Sequence, residues 1–180
     1  MLKLVIPGRE VYDEEQQMFF YTESKEIQLE HSLVSISKWE SKWHKPFLSK
    51  NEKTMEETLD YIRCMTITQN VDPTVYACLT EENYAEVKKY IEDSMTATTF
   101  SDDKNKPGSR EIVTSELIYY WMISLNIPME CQRWHLSRLL TLIKVCSIKN
   151  APNKKMSKRD IASKYSSLNA ARRSKMHTRG

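Results

Sequence analysis

The sequence predicts a mainly α-helical fold, with a small β element at its N-terminus and a basic helix at its C-terminus. Three observations carry that prediction. Glu111 to Asn150 holds two apolar runs joined at Pro128, each too long for an ordinary strand. Helix-start signals recur along the chain, at Thr54-Met55-Glu56-Glu57 and at Asp72-Pro73. Only three glycines occur, fewer than turn-rich β architectures use.

The segment from Glu111 to Asn150 is the expected core hairpin. Its first run includes Ile112, Leu117, Ile118, Tyr119, Tyr120, Trp121, Met122, Ile123 and Leu125. Residues 117–123 are apolar on every face, the pattern of a helix buried all round. The second run holds Trp134, Leu136, Leu139, Leu140, Leu142, Ile143 and Val145. Neither reaches the roughly 18 unbroken apolar residues of a membrane span.

Upstream, Leu2 to Ile6 reads as a short strand closed by Pro7-Gly8. Asp13 to Gln17 is polar; Met18 to Thr22 reads as a second strand, and Ile27 to Leu29 as a third or as the lead-in to a helix. His31 to His44 has helical spacing through Leu33, Ile36 and Trp43, with Trp39 one turn before Trp43. Thr54 and Glu57 form a capping box for a helix to about Gln69, burying Met55, Leu59, Ile62 and Met65. Asp72-Pro73 starts a short helix to Leu79, and Thr80 caps another to about Asp93. Thr96 to Arg110 is polar and aperiodic, so it reads as an exposed loop. Asp102 and Asp103 within it fit a solvated turn better than a cation site.

Charge divides the chain. Met1 to Ile148 carries 17 Lys+Arg against 23 Asp+Glu, net −6; Lys149 to Gly180 carries 10 against 1, net +9. The expected organisation is a helical domain over 1–150 and a basic tail over 151–180, linked at Ala151-Pro152-Asn153. The tail reads as one helix to about Met176 with a narrow apolar stripe. Its cations Lys154, Lys155, Lys158, Arg159, Lys164, Arg172 and Arg173 suit an acidic protein surface or nucleic acid. Met156 to Tyr165 looks somewhat like the first half of a helix-turn-helix, but the turn after Tyr165 lacks glycine and Ser167 to Arg173 has no apolar pattern for a second packed helix.

No constellation points to catalysis. Glycine-rich phosphate loops and nucleophile elbows need glycines this chain does not have. Cys131 and His135 stand four apart on an expected helix, but tetrahedral zinc needs two more ligands at a matching spacing. Cys64, Cys78, Cys131 and Cys146 form no CxxC pair and read as buried free thiols of a reducing compartment. The first residues lack the apolar length of a signal peptide. The expectation is a non-enzymatic protein without cofactor or metal, acting by contact. Trp39, Trp43, Trp121 and Trp134 are the candidate partner-binding residues, against the plainer reading that they fill the core.

Three blocks extend that expectation: IQLEHSLVSISKWESKWHKPFL (27–48), SELIYYWMISLNIPMECQRWHLSRLLTLIKVCSIKN (115–150) and KKMSKRDIASKYSSLNAARR (154–173). Together they resemble small tailed-bacteriophage proteins of the tail assembly chaperone type. The resemblance implies a protein of the host cell cytoplasm that binds the tape measure protein, or another tail protein, during tail morphogenesis. It would cover the partner's apolar helices until tube subunits polymerise around them, and would then be absent from the finished particle. An apolar groove with a charged rim suits such a helix, and nine methionines supply adaptable apolar surface. The alternatives are a structural neck, connector or baseplate protein, and a nucleic-acid-binding regulator using the basic C-terminal helix.

Overall fold

The computed structural model describes residues 1–13, 17–100, 112–151 and 158–176. It is mainly helical, with a small N-terminal β element. The chain folds as two units, Met1–Lys149 and Asn150–Gly180.

The first unit opens with an antiparallel ribbon. Strands β1 (Leu2–Ile6) and β4 (Lys25–Leu29) pair, and β2 (Arg9–Asp13) pairs with β3 (Met18–Thr22). The two ladders share one register: Leu2 faces Leu29, Ile6 faces Lys25 and Arg9 faces Thr22. They form one long hairpin broken only at Pro7-Gly8, where proline cannot donate to the ladder. Gly8 is required there. A Cβ on it would lie 2.4 Å from the Thr22 carbonyl oxygen and 2.7 Å from the Ser24 nitrogen. Strand β2 was not expected from sequence, because its alternation is interrupted by charge. Along β1 and β4 the two-residue period turns Leu4, Ile6, Ile27 and Leu29 into the core and leaves Val5 and Glu26 outside.

Five helices follow in this unit: α1 (Leu33–Trp43), α2 (Met55–Met65), α3 (Glu81–Glu92), α4 (Ser115–Ser124) and α5 (Leu136–Asn150), whose last residue falls just past the unit boundary. Ser32 caps α1, and His44 ends it at φ 52°. Thr54 and Glu57 cap α2 reciprocally, as Thr80 and Asn83 do α3. Asp72 accepts from the Thr74 nitrogen to start a 3-10 segment, Pro73–Cys78.

α2 stops at Met65, before the expected Gln69. Its exit joins the sheet instead: Ile67 N–H donates to the Gln28 carbonyl at 2.8 Å, and Thr66 bridges Leu29. Met55 is exposed, contrary to expectation, whereas Ile62 and Met65 are buried. The core gathers Leu4 and Ile27 from the ribbon, Leu33, Ile36 and Trp39 from α1, Ile62 from α2, Ile118 and Met122 from α4, and Leu139 from α5.

The second unit contains α6 (Lys158–Met176), whose described side chains are exposed. Asp102, Asp103, Lys154 and Lys155, singled out in the sequence, lie outside the described residues.

Candidate functional site

The pair Trp39 and Trp43 belongs to the interior joint between α1 and α2. Trp39 is buried, and its indole N–H donates to the Glu57 carbonyl at 2.9 Å. Trp43 is half-buried and donates to the Asp60 carboxylate at 2.9 Å. The rings stack with centroids 6.1 Å apart. Lys42 pairs with Asp60, and Lys45 with Glu57. The Lys45 hydrogen bond holds Glu57 below the usual carboxylate range. Burial works against the charge of Asp60, yet Lys42 and Trp43 outweigh it and keep that carboxyl low as well. Trp39 is 2% exposed, so most of its surface is engaged inside the fold.

Trp134 is half-buried under the Arg138 guanidinium, which lies 4.2 Å from its ring centroid. Trp39 lines a cavity of about 350 Å³ beside Lys45, Lys53 and Glu57, whereas Trp121 lines a larger apolar groove. That groove lies between the C-terminal half of α4 and the middle and end of α5 and encloses about 550 Å³. Trp121, Leu125, Leu140, Ile143 and Ile148 make its apolar lining, with Ser124, Lys144 and Ser147 supplying polar groups.

The groove exists because α4 is not buried all round. Ile118 and Met122 face the core, but Tyr120 is 63% exposed and Ile123 66%. The expectation for residues 117–123 was wrong because a helix apolar on every face still needs neighbours on every side. Among the described elements only α1 packs extensively against α4. The direct hairpin at Pro128 is also replaced by a longer connection. α4 ends in a Schellman-type turn, with Asn126 at φ 52° and Ile127 N–H donating to the Met122 carbonyl at 2.8 Å. A 3-10 segment, Met129–Arg133, then leads to α5.

Both groove walls are pinned at their N-terminal ends. The Ser115 N–H at the start of α4 donates to the buried Glu40 carboxylate at 2.8 Å. The Leu136 N–H at the start of α5 donates to the His31 carbonyl at 2.7 Å. The far ends make the groove, with half-buried Leu125 at the end of α4 and exposed Ile148 near the end of α5. Of the groove's apolar residues the sequence singled out Trp121 but not Leu125, Leu140, Ile143 or Ile148, whose apolar character was legible and whose place in a groove was not.

A second set of groups lies inside the fold. His31 and His135 are buried with ring centroids 5.1 Å apart. His31 Nδ1 lies 2.5 Å from the Tyr61 hydroxyl, and His135 Nε2 lies 3.1 Å from the Tyr90 carbonyl oxygen. The Tyr90 hydroxyl donates to Glu30 at 2.7 Å. Burial, aided by His135, pushes His31 down to about 3, so at neutral pH it is an uncharged packing group. Cys131 and His135 do not share a helix: Cys131 sits in the 3-10 segment, and His135 precedes α5. Burial raises the Cys131 thiol, which disfavours the thiolate needed for attack or ligation. Among the described residues no cluster of three or more His, Cys, Asp or Glu could hold a metal ion. No described helix is long and apolar enough to cross a membrane.

No protein-family model, curated protein or solved structure matches this chain.

Proposed function

We propose that the protein is a phage tail assembly chaperone, a non-catalytic body that holds an amphipathic helix of the tape measure protein in the α4–α5 groove. The observation that carries this reading is the open groove itself. Its walls are apolar, and Trp121 and Leu140 within them are half-covered. A helix that lays its i, i+3, i+4 and i+7 side chains into such a groove gains affinity from burial, and a large aromatic such as Trp121 makes a natural anchor. The sequence resemblance in residues 27–48, 115–150 and 154–173 supplies the partner.

Co-expression with the tape measure protein of the same phage tests the reading. The expected result is a co-purifying complex and more soluble tape measure protein, both lost when Leu140→Glu and Ile148→Glu charge the groove. Absence of a complex together with unchanged tape measure solubility overturns it. Stoichiometric recovery in purified particles would instead favour a neck, connector or baseplate component.

A further inference from the structure

Resting on the chaperone reading, we propose that the helix held in the α4–α5 groove carries an acid beside its apolar stripe, and that Lys144 selects it by pairing with that carboxylate. On α5 the groove is lined by Leu140, Ile143, Lys144, Ser147 and Ile148. These residues follow the spacing of a single helical face, and Lys144 stands at its centre. A helix that seats on both Leu140 and Ile148 therefore covers Lys144 as well.

Charge complementarity chooses the partner. Lys144 is exposed, and among the described residues its ammonium makes no ion pair. The Phe100 ring holds it instead, with the ring centroid 4.0 Å from Nζ. No carboxylate lines the groove. α5 has no Asp or Glu, and the one acid of α4, Glu116, lies in its first turn, away from the half that forms the groove. The groove thus offers a cation without a counter-charge, although Met1 to Ile148 is net −6. Covering an ammonium with apolar surface is costly unless an anion meets it. A helix with a basic residue at this point is repelled, and a neutral one leaves the ammonium desolvated and unpaired. A helix with Glu or Asp three or four residues from an apolar anchor meets it, because Lys144 lies one turn from Leu140 on one side and from Ile148 on the other. The apolar walls then supply affinity, and Lys144 decides which amphipathic helix is accepted.

The test uses the full chain, tagged and co-expressed with the tape measure protein of the same phage. The amount of tape measure protein retained is read at about 50 and about 300 mM KCl, which brackets the range over which exposed charges become screened. Lys144→Met keeps the apolar stem and removes the charge; Lys144→Glu reverses it. The position is exposed, and thermal unfolding confirms that both variants fold as the parent does. The parent should lose retention as salt rises. Lys144→Met should retain at least about fivefold less at low salt and respond little to salt, having lost one partner of a covered charge pair. Lys144→Glu should retain least at low salt and recover in part at high salt, as repulsion is screened. If the parent retains the tape measure protein and both variants match it at low salt, the pairing is overturned and the chaperone reading stands. Greater retention by Lys144→Glu than by the parent also overturns the pairing, since it marks a basic helix. If the parent retains none, the chaperone reading fails and the pairing with it.

Discussion

Glu40 and Ser115 stand 75 residues apart in sequence, and the carboxylate of one caps the helix that the other begins. Glu40 Oε2 accepts from the Ser115 N–H at 2.8 Å, while Oε1 accepts from the Phe47 N–H at 2.7 Å. Both donors are buried backbone groups, and the acceptor is buried with them. One side chain thus closes the loop after α1 and fixes the start of α4, the helix that forms one groove wall. Glu40→Ala would leave two buried N–H groups without an acceptor. Each such loss costs about 1–3 kcal/mol, so a total of about 3 kcal/mol is expected from urea unfolding. Glu40→Gln keeps one acceptor oxygen and should lose about half as much.

The cost of Gly8→Ala comes from the ribbon. The added methyl would meet the Thr22 carbonyl oxygen and the Ser24 nitrogen, both backbone atoms that cannot rotate away. Relief requires the two halves of the hairpin to separate at the Pro7-Gly8 break, where the Ser24 hydroxyl donates to the Ile6 carbonyl at 3.1 Å. The expected outcome is a loss of about 2 kcal/mol or more, in the range of overpacking in a filled site. Ser24→Ala, which removes only the hydroxyl, should cost about 1 kcal/mol. Chemical denaturation of the two variants side by side separates the steric effect from the polar one.

The buried histidines make stability depend on pH in a definite direction. His31 has a folded value of about 3 against 6.5 for an ordinary imidazole, lowered by burial and then by His135. The unfolded chain therefore takes up a proton on His31 that the folded chain refuses. The stability this group contributes is complete above pH 6.5 and is lost as pH falls through the window towards 3. Within the window each pH unit costs up to about 1.4 kcal/mol. Tyr61, Phe47 and His135 surround the ring, and no carboxylate is among these ring contacts to offset a charge there. Unfolding free energies at pH 7 and pH 4 should differ by about 3 kcal/mol more in the parent than in His31→Gln. Equal pH dependence in the two proteins would remove His31 as the cause.

What the sequence disclosed was local. The Thr54–Glu57 box, the Asp72-Pro73 start and the Thr80 cap are each complete within four residues, and each is present in the structure. Leu2 to Ile6 announced itself as a short apolar run closed by Pro7-Gly8. The missed features depend on partners distant in sequence. α2 ends early because β4 offers Gln28 and Leu29 as an edge for the chain that follows. The Trp39–Trp43 spacing did reveal one shared face, but nothing in α1 says that Glu57 and Asp60 wait opposite it. The groove was the least legible feature. A run such as Leu117 to Ile123 states how much apolar surface exists, whereas the number of neighbours decides how much of it stays uncovered.

That distinction separates the four tryptophans experimentally. Trp39 is buried, hydrogen-bonded and packed edge-on against Phe47 at 5.2 Å. Trp39→Ala should cost about 3–5 kcal/mol, the usual range for a buried aromatic, and any effect on partner binding should follow that loss of fold. Trp121 is half-buried at the groove, and Trp121→Ala should cost only about 1 kcal/mol, in keeping with partial burial. On the chaperone reading, however, Trp121→Ala should lose the co-purifying tape measure protein while its unfolding midpoint stays near that of the parent. Trp43 and Trp134, half-buried beneath Lys42 and Arg138 respectively, should fall between these extremes in stability and leave capture intact. Capture that tracks stability across all four variants would mean that the groove contributes nothing beyond a folded body.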